Sequence, residues 1–209
     1  MDIRGMLANT IGKWYKSLGF AGALRWRMLY WFYKITGWHI RHKEWDWVLE
    51  YLPPLTKAQN VKVLDVGCAK SLFIYELAHR GYETWGIDIN GYQEKVPKDI
   101  KIYKGNIINF KMTNEADFIT CISVLEHLPI KPNYSEHERV LYWILRNLKI
   151  GGRILLTIPT QEYAQRHPWL GYTHKILKDI LCGMGGVAGI IIEQTERAGQ
   201  LCVVIERAA

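Results

Sequence analysis

The chain has 209 residues, 49% of them hydrophobic and 22% charged, which suits one sizeable core with an appendage and argues against a disordered or fibrous polypeptide. Its net charge of +7 is carried by residues 1–43, which hold eight Lys/Arg against one acid, while the other 166 residues balance 19 bases with 19 acids. Four widely spaced cysteines, Cys68, Cys121, Cys182 and Cys202, form no C-x-x-C pair; they argue against a disulfide frame or a zinc site and predict reduced, buried thiols in a cytoplasmic protein.

Residues 3–18 place Ile3, Met6, Leu7, Ile11, Trp14, Tyr15 and Leu18 at helical spacing, with Arg4, Lys13 and Lys16 off that stripe, which predicts an amphipathic helix. The N-terminus has no uninterrupted apolar run followed by a small-residue cleavage site, so no secretory signal is expected. In the following ALRWRMLYWFYKITGWHI, Arg25, Arg27 and Lys34 interrupt the apolar residues, and no window reaches the ~18–20 nearly uncharged residues of a membrane span. Such a basic, aromatic segment can pack as a lid over a domain or lie in a membrane interface. Aromatics at helical spacing favour the lid, and the two readings are compatible. A third helix is predicted over 44–52, with Trp45, Val48, Leu49 and Leu52 on one face and Pro53-Pro54 as its stop. The expected division is a basic, aromatic-rich helical cap at 1–54 and an α/β domain at 55–209.

The stretch VKVLDVGCAKS, from Val61 to Ser71, organises that domain. Val61, Val63, Leu64 and Val66 read as a strand buried on both faces, and the residues from Leu72 to Ala78 as a helix that stops at Gly81. Between them Gly67 allows close approach of a ligand to the backbone, and the helix start supplies free N–H groups. The second strand, 82–89, ends in Asp88, at the spacing from the glycine turn where an acid can accept hydrogen bonds from both hydroxyls of a ribose. A short third strand, 101–103, leads to Gly105-Asn106-Ile107, and a fourth, 116–123, runs directly into Leu125-Glu126-His127-Leu128-Pro129. An imidazole there can take a proton from a hydroxyl or amine near neutral pH, or the Glu-His pair can cap and orient the loop. Ser135-x-x-Glu138 predicts a capping box opening a helix through Leu148. The glycine pair Gly151-Gly152 turns into a fifth strand at 153–158. The aromatic loop from Thr160 to Tyr172 follows, then a helix to Leu181 and a hairpin of strands at 190–195 and 200–206.

DVGCAKS, the acid at Asp88, ISVLEHLP (122–129) and LKIGGRILLTIP (148–159) resemble, in their order, the landmarks of the class I S-adenosylmethionine-dependent methyltransferases, in particular those of small molecules and lipid precursors. Ala69 and Ser71 stand where that family's second and third motif glycines would be, and Ile150 where a proline is usual. The resemblance implies an α/β, Rossmann-like seven-stranded sheet, parallel with one antiparallel strand, and S-adenosylmethionine as cofactor. It implies a cofactor site at Asp65, Gly67, Cys68, Ala69, Asp88, Ile89, Asn106, Ile107 and Ser123, with Lys70 a partner for the carboxylate. Glu126 and His127 would border the reaction centre as catalytic candidates. Related metal-binding enzymes carry E-x-x-E-H here; Ser123 replaces the first Glu, so no catalytic metal is expected.

Tyr163, His167, Trp169 and Tyr172 are candidate walls of an acceptor pocket, since loops at the carboxyl ends of strands commonly shape substrate sites. A small, amphiphilic acceptor fits the aromatic segment. Three alternatives are weaker. A nucleic acid could be tracked by the basic segment, but no (N/D)-P-P-(Y/F) tetrapeptide is present, and phosphate tracking would show steep salt dependence. A degenerate fold could serve as a binding module at a membrane surface through residues 1–43. A nicotinamide dehydrogenase is disfavoured because GCAKS departs from G-x-G-x-x-G.

Overall fold

A computed structural model of the chain describes residues 40–54, 60–69, 71–91, 96, 98–112, 115–129, 135–160, 174–183, 189–197 and 199–209. The two helices predicted before residue 40 and the loop at 161–173 lie outside the described residues. Helix α1 (Ile40–Tyr51) leads to β1 (Lys62–Val66), α2 (Phe73–His79), β2 (Glu83–Asp88) and β3 (Lys101–Lys104). There follow β4 (Ala116–Ile122), α3 (Ser135–Arg146), β5 (Leu148–Pro159), α4 (His174–Gly183), β6 (Gly189–Arg197) and β7 (Gln200–Arg207). The strands form one seven-stranded sheet in the order β3-β2-β1-β4-β5-β7-β6. Neighbours from β3 to β5 are parallel, and β7 runs antiparallel to both β5 and β6, so it is the one reversed strand. The fold is the Rossmann-like sheet the sequence predicts.

Residues of alternate parity along the strands feed two cores, as a sheet covered on both faces requires. Leu64, Val66, Ile119, Ile154 and Val203 pack with Val140, Leu141, Ile144, Leu177 and Ile180 of α3 and α4. Val63, Leu155, Cys202 and Val204 pack on the opposite face with Phe73 and Leu77 of α2 and with Trp45, Trp47, Val48 and Leu49 of α1. Helix α1 therefore shares a core with the sheet. It begins at Ile40 rather than Glu44, and it buries Trp47 completely as well as the predicted face.

The predicted helix through Leu148 ends instead at Arg146. Asn147 folds its side-chain amide back onto the Trp143 carbonyl at 2.8 Å, and Leu148 pairs with Ala116 across a β-bulge, so the LKIGG run is already part of β5. Such a bulge bends the strand locally. The parallel register, with Asp65 opposite both Gly86 and Thr120, brings the carboxyl ends of β1, β2 and β4 side by side.

Candidate functional site

Those strand ends open into a cleft of about 780 Å³, a size that holds a cofactor rather than a solvent molecule. At the end of β1, Gly67 turns the chain at φ 70°, and its N–H donates to the Ile87 carbonyl at 2.8 Å. A side chain cannot be accommodated there: a Cβ would stand 2.4 Å from Cγ2 of Val124. Ala69, also left-handed at φ 40°, donates its N–H to Asp88 Oδ2 at 3.1 Å, and the Asn90 N–H donates to Oδ1 at 2.8 Å. The Asp88 carboxylate is thus fixed by backbone amides on both sides, and each oxygen keeps a lone pair for a further donor. The next residue, Ile89, exposes 66% of its surface at the cleft.

Asn106 caps a single turn of 3-10 helix at Ile107–Asn109, its Oδ1 accepting from the Ile108 N–H at 3.2 Å. Its side chain serves the loop and still reaches the cleft, where Ile107 lies beside it. On the far side, Ser123 ends β4 in the left-handed region at φ 51°. Its N–H donates to the carbonyl and hydroxyl of Thr157 at 2.9 and 3.1 Å, and its hydroxyl donates to Glu44 Oε1 at 2.7 Å. A second 3-10 turn, Leu125–His127, follows. With three residues per turn, successive side chains diverge. His127 is exposed and lines the cleft, whereas Glu126 is buried and does not. Behind this turn the fully buried His137 donates from Nε2 to the Leu125 carbonyl at 3.1 Å. Burial holds its pKa below the ordinary histidine value, against the opposing effects of that hydrogen bond and of Glu136.

Of the residues expected at the site, Gly67, Ala69, Asp88, Ile89, Asn106, Ile107, Ser123 and His127 come together around the cleft. Asp65, Cys68 and Glu126 lie beneath its surface. Asp65 accepts from the Thr120 hydroxyl at 2.7 Å inside the sheet, because successive side chains of β1 point to opposite faces of the sheet and none points past the strand end. Cys68 is wholly buried with Ile74, Tyr75 and Ile100, and burial, reinforced by the charges of Asp65 and Asp88, pushes its thiol pKa well up. Lys70, Tyr163, His167, Trp169 and Tyr172 lie outside the described residues. Besides chain neighbours of the expected residues, the cleft takes Trp45 from α1 and Glu136 and Val140 from α3. The last two are one helical turn apart on one face of α3, and no motif in the sequence pointed to them; Trp45 reaches the site through tertiary packing on Phe73, ring centroids 5.8 Å apart. Among the described residues no helix is long and apolar enough to cross a membrane.

The family model described as a methyltransferase domain matches residues 38–179. The chain belongs to this methyltransferase family, of the class I S-adenosylmethionine-dependent type. A ubiquinone biosynthesis O-methyltransferase from Nitrosomonas europaea is 35% identical over 120 residues, covering 52% of this chain and 48% of that protein. One of the same name from Xanthomonas oryzae is 25% identical over 119 residues, covering 52% and 47%. The chain spans about half the length of these curated relatives. Among solved structures, the N-methyltransferase NodS from Bradyrhizobium japonicum in complex with S-adenosylhomocysteine aligns with a TM-score of 0.60 at 14% identity, over 81% of this chain and 88% of that one. Magnesium protoporphyrin IX methyltransferase from Synechocystis with bound S-adenosylmethionine aligns at 0.58 and 15%, over 80% and 79%. At these identities the structures share the methyltransferase fold.

Proposed function

We propose that the chain is an S-adenosylmethionine-dependent methyltransferase acting on a small, amphiphilic acceptor by direct in-line transfer. The observation that carries this reading is the Asp88 carboxylate, held by the amides of Ala69 and Asn90 across from a Gly67 turn that admits no side chain. That pairing fits a ribose lying over close backbone. Asp88 takes the ribose hydroxyls. Ile89, Asn106 and Ile107 take the base, and Gly67 and Ser123 the amino-acid half, with Lys70 for its carboxylate. The bound cofactor supplies a methyl group already activated by a sulfonium, so the protein's task is to align the acceptor and exclude water.

His127, exposed at the cleft, takes the proton that an acceptor hydroxyl or amine must lose. Glu126 acts from beneath by holding the turn. Tyr163, His167, Trp169 and Tyr172 form the acceptor walls. A small-molecule acceptor is supported by the relatives' names, which specify ubiquinone biosynthesis, and by the porphyrin methyltransferase among the structural neighbours. The basic, aromatic residues 1–43 contact an anionic membrane surface, from which such an acceptor would be drawn.

Calorimetric titration of S-adenosylhomocysteine tests the cofactor assignment. The native chain should bind in the micromolar range, about −8 kcal/mol, and Asp88→Ala should lose at least about tenfold while keeping its circular dichroism spectrum. A folded native chain that binds nothing overturns the assignment.

A further inference from the structure

Helix α1 precedes the sheet in sequence yet reaches the cleft region at two adjacent residues. Trp45 forms part of the cleft wall. Glu44 turns inward beneath the strand ends, where it is 2% exposed. Its Oε1 accepts from the hydroxyls of Ser123 and Thr157, each at 2.7 Å, and its Oε2 has no hydrogen-bond partner among the described residues. As a means of attaching a helix this is unfavourable, because two hydroxyl donors offset only part of the cost of removing a carboxylate from water.

The effect of that carboxylate falls on Ser123. A left-handed, side-chain-bearing residue persists only where its surroundings over-determine it, and here Thr157 holds the N–H while Glu44 holds the hydroxyl. With its N–H and hydroxyl proton committed, Ser123 can offer a ligand at the cleft only acceptors, and its backbone carbonyl is an acceptor suited to an ammonium. The sheet order puts β4 on the opposite side of β1 from β2. If Asp88 on β2 takes the ribose, the amino-acid half of the cofactor lies over the ends of β1 and β4.

We propose that Glu44 is a positioning residue for the amino-acid half of the cofactor: through the hydroxyls of Ser123 and Thr157 it sets the turn after β4, so that the Ser123 backbone receives the ammonium. This rests on the S-adenosylmethionine reading above.

The test compares two ligands of the full chain by calorimetry, S-adenosylhomocysteine and methylthioadenosine, a thioether nucleoside without the amino-acid half. Glu44→Gln should weaken the first about tenfold and the second less than about twofold, as expected for loss of charge-assisted positioning at one end of the ligand. Ser123→Ala should show the same selective loss, and the double variant no further loss, because the two act through one contact. If Glu44→Gln fails to fold, as judged by circular dichroism, Ser123→Ala decides by the same ratio. Unchanged affinities, or equal losses for both ligands, overturn the proposal; the second pattern is what a purely structural carboxylate would produce. A native chain that binds neither ligand overturns the cofactor assignment and this inference together, whereas native binding with no selective loss sinks the role of Glu44 alone.

Discussion

Ala69 and Gly67 share the left-handed region two residues apart, at φ 40° and 70°, but for opposite reasons. Gly67 is obligatory because Val124 occupies the space a Cβ would need. Ala69 carries a Cβ where the backbone disfavours one, in order to aim its N–H at Asp88. Ala69→Gly should therefore raise stability by about 0.5–1 kcal/mol, read as a Tm increase of about 1–4 °C, with binding of S-adenosylhomocysteine retained. Gly67→Ala should lower Tm and weaken that ligand; a variant as stable as the native chain would refute the steric argument. Gly67 and Asp88 were legible in the sequence because their relation is local, a glycine at a strand end and an acid at the next one. The separation of Glu126 from His127 was not, since which of two adjacent side chains faces the cleft depends on how the 3-10 turn packs and not on their order in the chain. Glu44, Trp45 and Glu136 become site neighbours only when distant elements pack.

At the scale of elements, α3 supports the turn that carries His127, and it does so with a titratable group. His137 is fully buried, and burial lowers its pKa from the ordinary 6.5. The unfolded chain thus binds the proton more tightly, so stability is complete above the unfolded pKa and is lost as pH falls through the window between 6.5 and the lower folded value. Thermal melts from about pH 7.5 to about pH 5 should show Tm falling through that window. His137→Gln, whose amide can still donate to the Leu125 carbonyl, should fall less steeply, and an identical slope would show that other groups carry the dependence. Strands β1 and β2 were legible as short runs with β-branched or apolar residues, β1 stopped by Gly67 and β2 by Asp88. The end of α3 was not. Helical periodicity continues through Leu148, but Leu148 has a strand partner in Ala116 and the bulge takes it, a competition that periodicity cannot weigh.

At the scale of the whole molecule the charge is polarised, with the entire surplus of +7 in residues 1–43. Removal of that segment must stop short of α1, because Glu44, Trp45 and Trp47 belong to the core and cleft wall. A chain lacking residues 1–37 should keep a cooperative thermal transition and its affinity for S-adenosylhomocysteine. It should lose co-sedimentation with anionic lipid vesicles, which in the full chain should weaken as salt is added. Sedimentation that survives the truncation would assign the contact elsewhere. The cysteines have a bearing on how any of this is observed. Cys68, Cys121 and Cys202 are buried, and burial pushes the Cys202 thiol to about 12 and holds Cys68 and Cys121 high as well. Cys182 is exposed on α4, which packs on α3 beside the residues that reach the cleft. To a maleimide the native fold presents one sulfur out of four, so a single dye can be attached one helix away from the ligand, without mutating any cysteine, as a fluorescent reporter of cleft occupancy.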